Sequence, residues 1–229
     1  GGIETDLSVT CISENKFRIV TGSAVREHDK KHIQKYLEGD ITFNDVTEDF
    51  SCFGVFGPKS RSLLTEIAGN YFDNSEFHFG KGKLINVHGV DIWFQRLSYV
   101  GELGWELYIP ISQSKKIYEL INKKGQNFDL VHAGRLSMDI MRMEKGYLHW
   151  GHDITPAENP YEAGLSFAIK LNKEFDFLGK ENLLKLKSKK TKQLVMFILE
   201  NSLPGKPLLL HDEPIFYKNK IVGETTSGN

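Results

Sequence analysis

The sequence predicts an α+β fold built from several subdomains. Short runs with period-two alternation are separated by stretches with helical spacing. Between Cys52 and Val131 these fall in the order strand–helix–strand–strand–helix–strand, the order of a ferredoxin-like unit over about residues 51–132. After Gln193 the texture changes to short strands and turns, as at the start of a small C-terminal β-barrel domain. The expected division is therefore one domain over 1–190 and a truncated barrel over 191–229.

Taken in order, Leu7 and Val9, then Phe17 and Ile19 beyond a polar turn at Glu14–Lys16, predict an antiparallel hairpin. Arg26 to Leu37 reads as a helix closed by Gly39, with Ile33, Tyr36 and Leu37 on its buried side. Phe50 to Phe56 is an apolar strand. Gly57-Pro58 opens a helix that buries Leu63, Leu64 and Ile67 and ends at Gly69. Leu84–Val87 and Val90–Phe94 form a hairpin across His88-Gly89. A strand follows from Trp105, and then a helix capped by Ser112 or Ser114 that carries Ile117, Leu120 and Ile121 to Gly125. Leu136 to Gly146 is the next helix, on which Asp139 and Arg142 are spaced to pair. Ala163–Leu171 is strand-like, Lys180–Leu186 a short helix, and Val195–Leu199 and Ile215–Tyr217 are short strands.

With 229 residues and 40% hydrophobic content, the chain is long enough for a substantial core. A net charge of −1 with balanced signs gives no footprint for nucleic acid or an anionic membrane. The basic run Lys185–Lys192 lacks interleaved aromatics and reads as a solvated linker. No apolar run approaches the ~18 residues needed to cross a bilayer. Cys11 and Cys52 are too few for a disulfide framework and lack metal spacing, so buried, inert thiols in a reducing compartment are expected. The Gly-Gly start and Thr-Ser-Gly-Asn end suggest an internal fragment of a longer protein.

One stretch carries most of the chemistry: Ser98-Tyr-Val-Gly-Glu-Leu-Gly-Trp-Glu-Leu-Tyr-Ile-Pro110. Gly101 and Gly104 make a tight turn where backbone can approach a ligand. Beyond it, Trp105, Leu107 and Ile109 alternate with Glu106 and Tyr108. Glu102 and Glu106 thus sit among aromatic rings. A carboxylate is a bidentate acceptor for a flat ligand showing an amino group beside a ring N–H, as a pterin does. An ordinary hairpin with solvated glutamates would carry the same pattern.

The stretch resembles the Y-x-G-E-x-G-x-E segment of the aminomethyltransferase (glycine cleavage T-protein) family. Arg142-Met-Glu-Lys-Gly-Tyr-Leu-His-Trp-Gly-His-Asp-Ile-Thr-Pro156, Pro160-Tyr-Glu-Ala-Gly-Leu165 and Phe177-Leu-Gly-Lys180 extend the resemblance. The opening Gly1-Gly-Ile-Glu-Thr-Asp-Leu7 does so too. The wording is most similar to the folate-binding C-terminal region of dimethylglycine and sarcosine dehydrogenases. The resemblance implies a T-protein-like multi-subdomain fold that binds tetrahydrofolate. By that resemblance Asp6 is the catalytic carboxylate, while Tyr99 and Glu106 contact the pterin. Glu102 either joins them or fixes the turn. Phe167 keeps an aromatic wall where T-proteins often carry Trp.

Two positions depart from the T-protein pattern: Gly22 stands for Asn, and Met138 for an Arg that would meet acidic groups of the ligand. Arg135, one turn earlier, is a weak substitute. Both departures fit the dehydrogenase branch better. His149 and His152 lack a third spaced ligand, so no metal site is expected. Gly80-Lys-Gly82 lacks the ending of a phosphate loop, and no G-x-G-x-x-G follows a strand.

The implied activity is capture of an N-methyl-derived carbon as 5,10-methylenetetrahydrofolate, with FAD in an upstream domain of the same chain. The compartment expected is the cytoplasm in bacteria or the mitochondrial matrix in eukaryotes. The alternatives are a stand-alone aminomethyltransferase or folate-dependent demethylase. A third is a non-catalytic regulatory subunit, as in pyruvate dehydrogenase phosphatase.

Overall fold

A computed structural model describes residues 1–189, 191–203 and 205–228. The chain divides into two compact units: Ser8–Lys145, and Gly1–Leu7 together with the segment from Gly146 onward.

The first hairpin forms as expected, from β1 (Leu7–Ser13) and β2 (Lys16–Thr21). Helix α1 (Arg26–Lys35) differs from its predicted amphipathic form. Its one buried residue is Asp29, which accepts from the Thr21 hydroxyl and lies 2.8 Å from His28 Nδ1, whereas Tyr36 is exposed. The helix packs through a polar clasp, which an apolar period does not reveal.

Strand β3 (Phe50–Phe56), α2 (Ser60–Ala68), β4 (Gly82–Val87), β5 (Val90–Gln95), β6 (Gly104–Pro110) and α3 (Ser114–Gly125) make the central layer. The sheet is antiparallel throughout, in the order β3-β6-β5-β4. The β4–β5 turn takes His88 (φ 50) and Gly89 (φ 84), both left-handed as a two-residue hairpin requires. Helix α2 ends at Gly69 (φ 95) and buries Leu63, Leu64 and Ile67, as its spacing predicts. Each such burial contributes about 1.5–3 kcal/mol. With Ile117 and Ile121 of α3 they close over Trp105, Leu107 and Ile109 of β6. Four aromatic rings, Phe72, Phe77, Phe94 and Trp105, pack there at centroid separations of 5.2–5.9 Å. Ser114 does not cap α3: its hydroxyl pairs with Ser51 Oγ at 2.8 Å.

The expected ferredoxin-like stretch, residues 51–132, thus draws on four strands and two helices, but β6 follows β5 directly and no strand forms near Val131. Past α3 the chain turns through Asp129 (φ 56), and Val131 is 80% exposed. Helix α4 (Arg135–Glu144) follows, with Leu136 exposed. The expected Asp139–Arg142 pair forms at 2.7 Å, with Arg142 buried rather than on the surface.

In the other unit, helix α5 (Lys180–Leu186) and the hairpin β7 (Pro214–Tyr217) and β8 (Lys220–Glu224) form. Two predicted strands do not. Ala163–Leu171 is turn and 3-10 helix, because Asn159 Oδ1 takes the Tyr161 and Glu162 N–H groups at 3.0 and 3.2 Å, which favours a turn over a ladder. Val195–Leu199 has no strand to pair with among the described residues, and Ile198 is 93% exposed. Among the described residues of the expected barrel, the strands are β7 and β8, beside an isolated Leu203–Lys206 bridge.

Candidate functional site

The alternation along β6 separates two chemistries. Trp105, Leu107 and Ile109 enter the core, which leaves Glu106 and Tyr108 on the opposite face of the sheet. Register then decides their neighbours. Gln95 lies opposite Glu106, and Trp93 and Cys52 lie opposite Tyr108 on either side. The Tyr108 hydroxyl donates to Glu106 Oε2 at 2.5 Å. Gln95 Oε1 accepts from Trp93 Nε1 at 3.0 Å and from Thr10 Oγ1 at 3.3 Å, while Gln95 Nε2 donates to the Gly80 carbonyl at 2.8 Å.

Arg18 of β2 lies over this face. Its guanidinium carbon is 5.5, 5.0 and 5.3 Å from the ring centres of Phe50, Trp93 and Tyr108, within cation–π range. Arg18 Nη1 is buried without a hydrogen-bond partner among the described residues, and desolvation lowers the pKa of the group. Desolvation, then the Glu106 carboxylate, holds the Tyr108 phenol well above its ordinary pKa, so it remains a donor. The face presents a half-buried carboxylate with one oxygen already held, set among aromatic rings. It can accept hydrogen bonds from a flat ligand edge.

The glycines of the motif serve the chain itself. Gly101 is left-handed (φ 71), and a Cβ there would meet the Lys145 stem. A Cβ on Gly104 would lie 2.4 Å from the Val55 carbonyl, so this glycine lets β6 approach β3 rather than a ligand. The turn is anchored by Gly57 N and Ser60 Oγ, which donate to the Leu103 carbonyl at 2.8 and 3.0 Å. Glu102 pairs with Lys145 at 3.7 Å. Tyr99 is half-buried just ahead of that turn.

Asp6 and Phe167 belong to the other unit. The segment before Asp6 is pinned where it must be: Ile3 N donates to Glu158 O at 3.0 Å, and Trp150 Nε1 donates to Ile3 O at 2.8 Å. A Cβ on Gly2 would clash with the Pro156 carbonyl, at 1.8 Å, so only glycine fits. Asp6 itself has no hydrogen-bond or ion-pair partner among the described residues. It keeps contact with solvent, yet the surrounding protein desolvates the carboxyl and raises its pKa. Phe167, 74% exposed, is a surface ring and not core packing. Beside it, Tyr161, Ser166, Lys170, Lys173 and Lys187 line a cleft of about 560 Å³.

The roles of Tyr108, Gln95, Arg18, Trp93 and Cys52 are not visible in the linear motif. Only strand pairing brings them to Glu106.

The GCVT N-terminal domain family matches residues 1–173, with Asp6, Glu106 and Phe167 inside the matched span. The chain belongs to this family. This GCVT N-terminal domain is 33% identical to mitochondrial dimethylglycine dehydrogenase of Mus musculus, over all of the chain and 26% of that protein. It is 32% identical to mitochondrial sarcosine dehydrogenase of Homo sapiens, over 97% of the chain and 26% of that protein. It is 32% identical to an aminomethyltransferase of Listeria welshimeri, over all of the chain and 61% of that protein. The chain thus spans about a quarter of the dehydrogenases' length. The glycine cleavage system aminomethyltransferase T of Bartonella henselae shares the fold, with a TM-score of 0.69 at 24% identity, over 82% of this chain and 50% of that one. The resemblance to both enzyme groups and the fold expected from it are thereby borne out.

Proposed function

We propose that this domain binds tetrahydrofolate and transfers a one-carbon unit within a dimethylglycine/sarcosine dehydrogenase-like enzyme. The observation that carries the reading is Glu106, a half-buried carboxylate held on an aromatic face by Tyr108. An amino group beside a ring N–H matches such an acceptor, and charge-assisted hydrogen bonds to it are strong. Tetrahydrofolate, when bound, supplies the amine that takes up the carbon to give 5,10-methylenetetrahydrofolate. An FAD-bearing domain elsewhere in the same protein is the source of the oxidised N-methyl carbon in this reading. Asp6 takes the proton released at that amine or stabilises the positive charge of the reacting group. Phe167 gives the ligand a flat surface.

The non-catalytic alternative fits less well. The buried carboxylate of Asp153, by contrast, is fully engaged: it accepts from Thr226, Ser227 and the His149 N–H at 2.5–2.9 Å. Asp6 has no such engagement.

The test is Asp6→Asn in the full-length protein. Tetrahydrofolate affinity and folding are expected to stay intact, while 5,10-methylenetetrahydrofolate forms roughly 10²-fold more slowly. Free formaldehyde should rise as uncaptured carbon is lost to water. Carbon transfer at the wild-type rate would remove Asp6 from the reaction.

A further inference from the structure

We infer that Tyr108 is a positioning residue: it orients the Glu106 carboxylate toward the ligand and so sets how well the site recognises a hydrogen-bond-donating edge. The inference rests on the folate reading of Glu106.

Four observations lead to it. Tyr108 and Glu106 are two residues apart on one strand, hence on the same face, and their side chains meet in a bond of 2.5 Å. Tyr108 is only 7% exposed, so its hydroxyl has little water to turn to. Its ring is fixed from several directions, by Arg18 at 5.3 Å and by Trp93 and Cys52 in the neighbouring strands. The phenol stays protonated in this setting, so its O–H remains available to donate to Glu106.

A free glutamate rotates about three bonds and offers its oxygens in many directions. With Oε2 held, the plane of the Glu106 carboxylate is set, and Oε1 keeps both lone pairs for a ligand. Pre-organisation of this kind lowers the ordering cost of binding. The chain of contacts runs from Arg18 through the Tyr108 ring to the carboxylate. Trp93 reaches Gln95 instead, and among the described residues Tyr108 is the side chain that donates to Glu106.

A double-mutant cycle tests this on the full-length protein, with tetrahydrofolate as the probe and calorimetry as the readout. Tyr108→Phe keeps the ring and its stacking and removes only the hydroxyl. It should weaken binding about tenfold in the wild-type background. In the Glu106→Ala background the same change should alter affinity by less than about twofold, because the group it positions is gone. Melting temperatures of all four proteins identify any loss of folding. A purely structural tyrosine would weaken binding equally in both backgrounds, and that result overturns the inference while leaving Glu106 in place. No effect of Tyr108→Phe in either background also overturns it. If Glu106→Ala alone leaves affinity unchanged, the folate reading of Glu106 fails, and the role of Tyr108 falls with it.

Discussion

Cys52 shows how far the site reaches beyond its motif. It stands opposite Tyr108 across the β3–β6 pair. As a residue it meets solvent, but desolvation around the sulfur, and next the Glu106 carboxylate, push its thiol from 9.0 up to about 12. Expectation from sequence put it in the core. The structure gives the residue solvent contact, but desolvation of the sulfur and, next, the charge of Glu106 disfavour its thiolate. The sign follows directly: the thiol is the favoured form, and thiolate appears only as pH approaches 12. Near pH 8 the thiolate fraction is on the order of a thousandfold below that of an unperturbed thiol. Iodoacetamide, followed by mass spectrometry, should therefore label Cys52 far more slowly than a reference thiol. The rate should climb steeply in strong base. Replacement of Glu106 by Gln should accelerate labelling, and equal rates with and without that charge would contradict the coupling. Glu106 itself was legible in the sequence, since its motif marks it. Tyr108 was visible only as a ring, since its donor role depends on which way two side chains on one strand turn.

Elements were legible where periodicity and turn chemistry agreed. The β4–β5 hairpin announced itself through His88-Gly89, and α2 through its apolar spacing and Gly69. They failed where polar side chains bond the backbone locally, as Asn159 does ahead of Ala163, or where a strand-like run such as Val195–Leu199 meets no partner. The motif glycines were legible as necessary, but for another reason than ligand access. At Gly104 the obstacle is the Val55 carbonyl at 2.4 Å, a backbone atom that cannot swing aside. Gly104→Ala should therefore force β6 away from β3 and cost roughly 1–3 kcal/mol of stability, the usual range for overpacking. Urea denaturation measures this. Because β6 carries Glu106, folate binding should weaken in parallel. An alanine variant as stable as wild type would show that the sheet adapts without strain.

At the scale of the whole molecule, the family was legible because its motifs run the length of the chain in order, and the match over residues 1–173 bears this out. The arrangement of the site was less so. The expected residues divide between two compact units, with Tyr99, Glu102 and Glu106 in one and Asp6 and Phe167 in the other. Motif order in a sequence carries no information about such a division. No helix among the described residues is long and apolar enough to cross a membrane, and no group of three His, Cys, Asp or Glu side chains among them is placed to hold a metal. Titration of the full-length protein with tetrahydrofolate, wild type against Glu106→Gln, tests the folate reading most directly. The substitution preserves shape and turns one acceptor oxygen into a donor facing the ligand's amino edge. Calorimetry should show binding by the wild type and a loss of roughly 1.5–3 kcal/mol in the variant, the size of a charge-assisted hydrogen bond. No heat and no thermal shift with wild type, or equal affinities for the two proteins, would contradict the account.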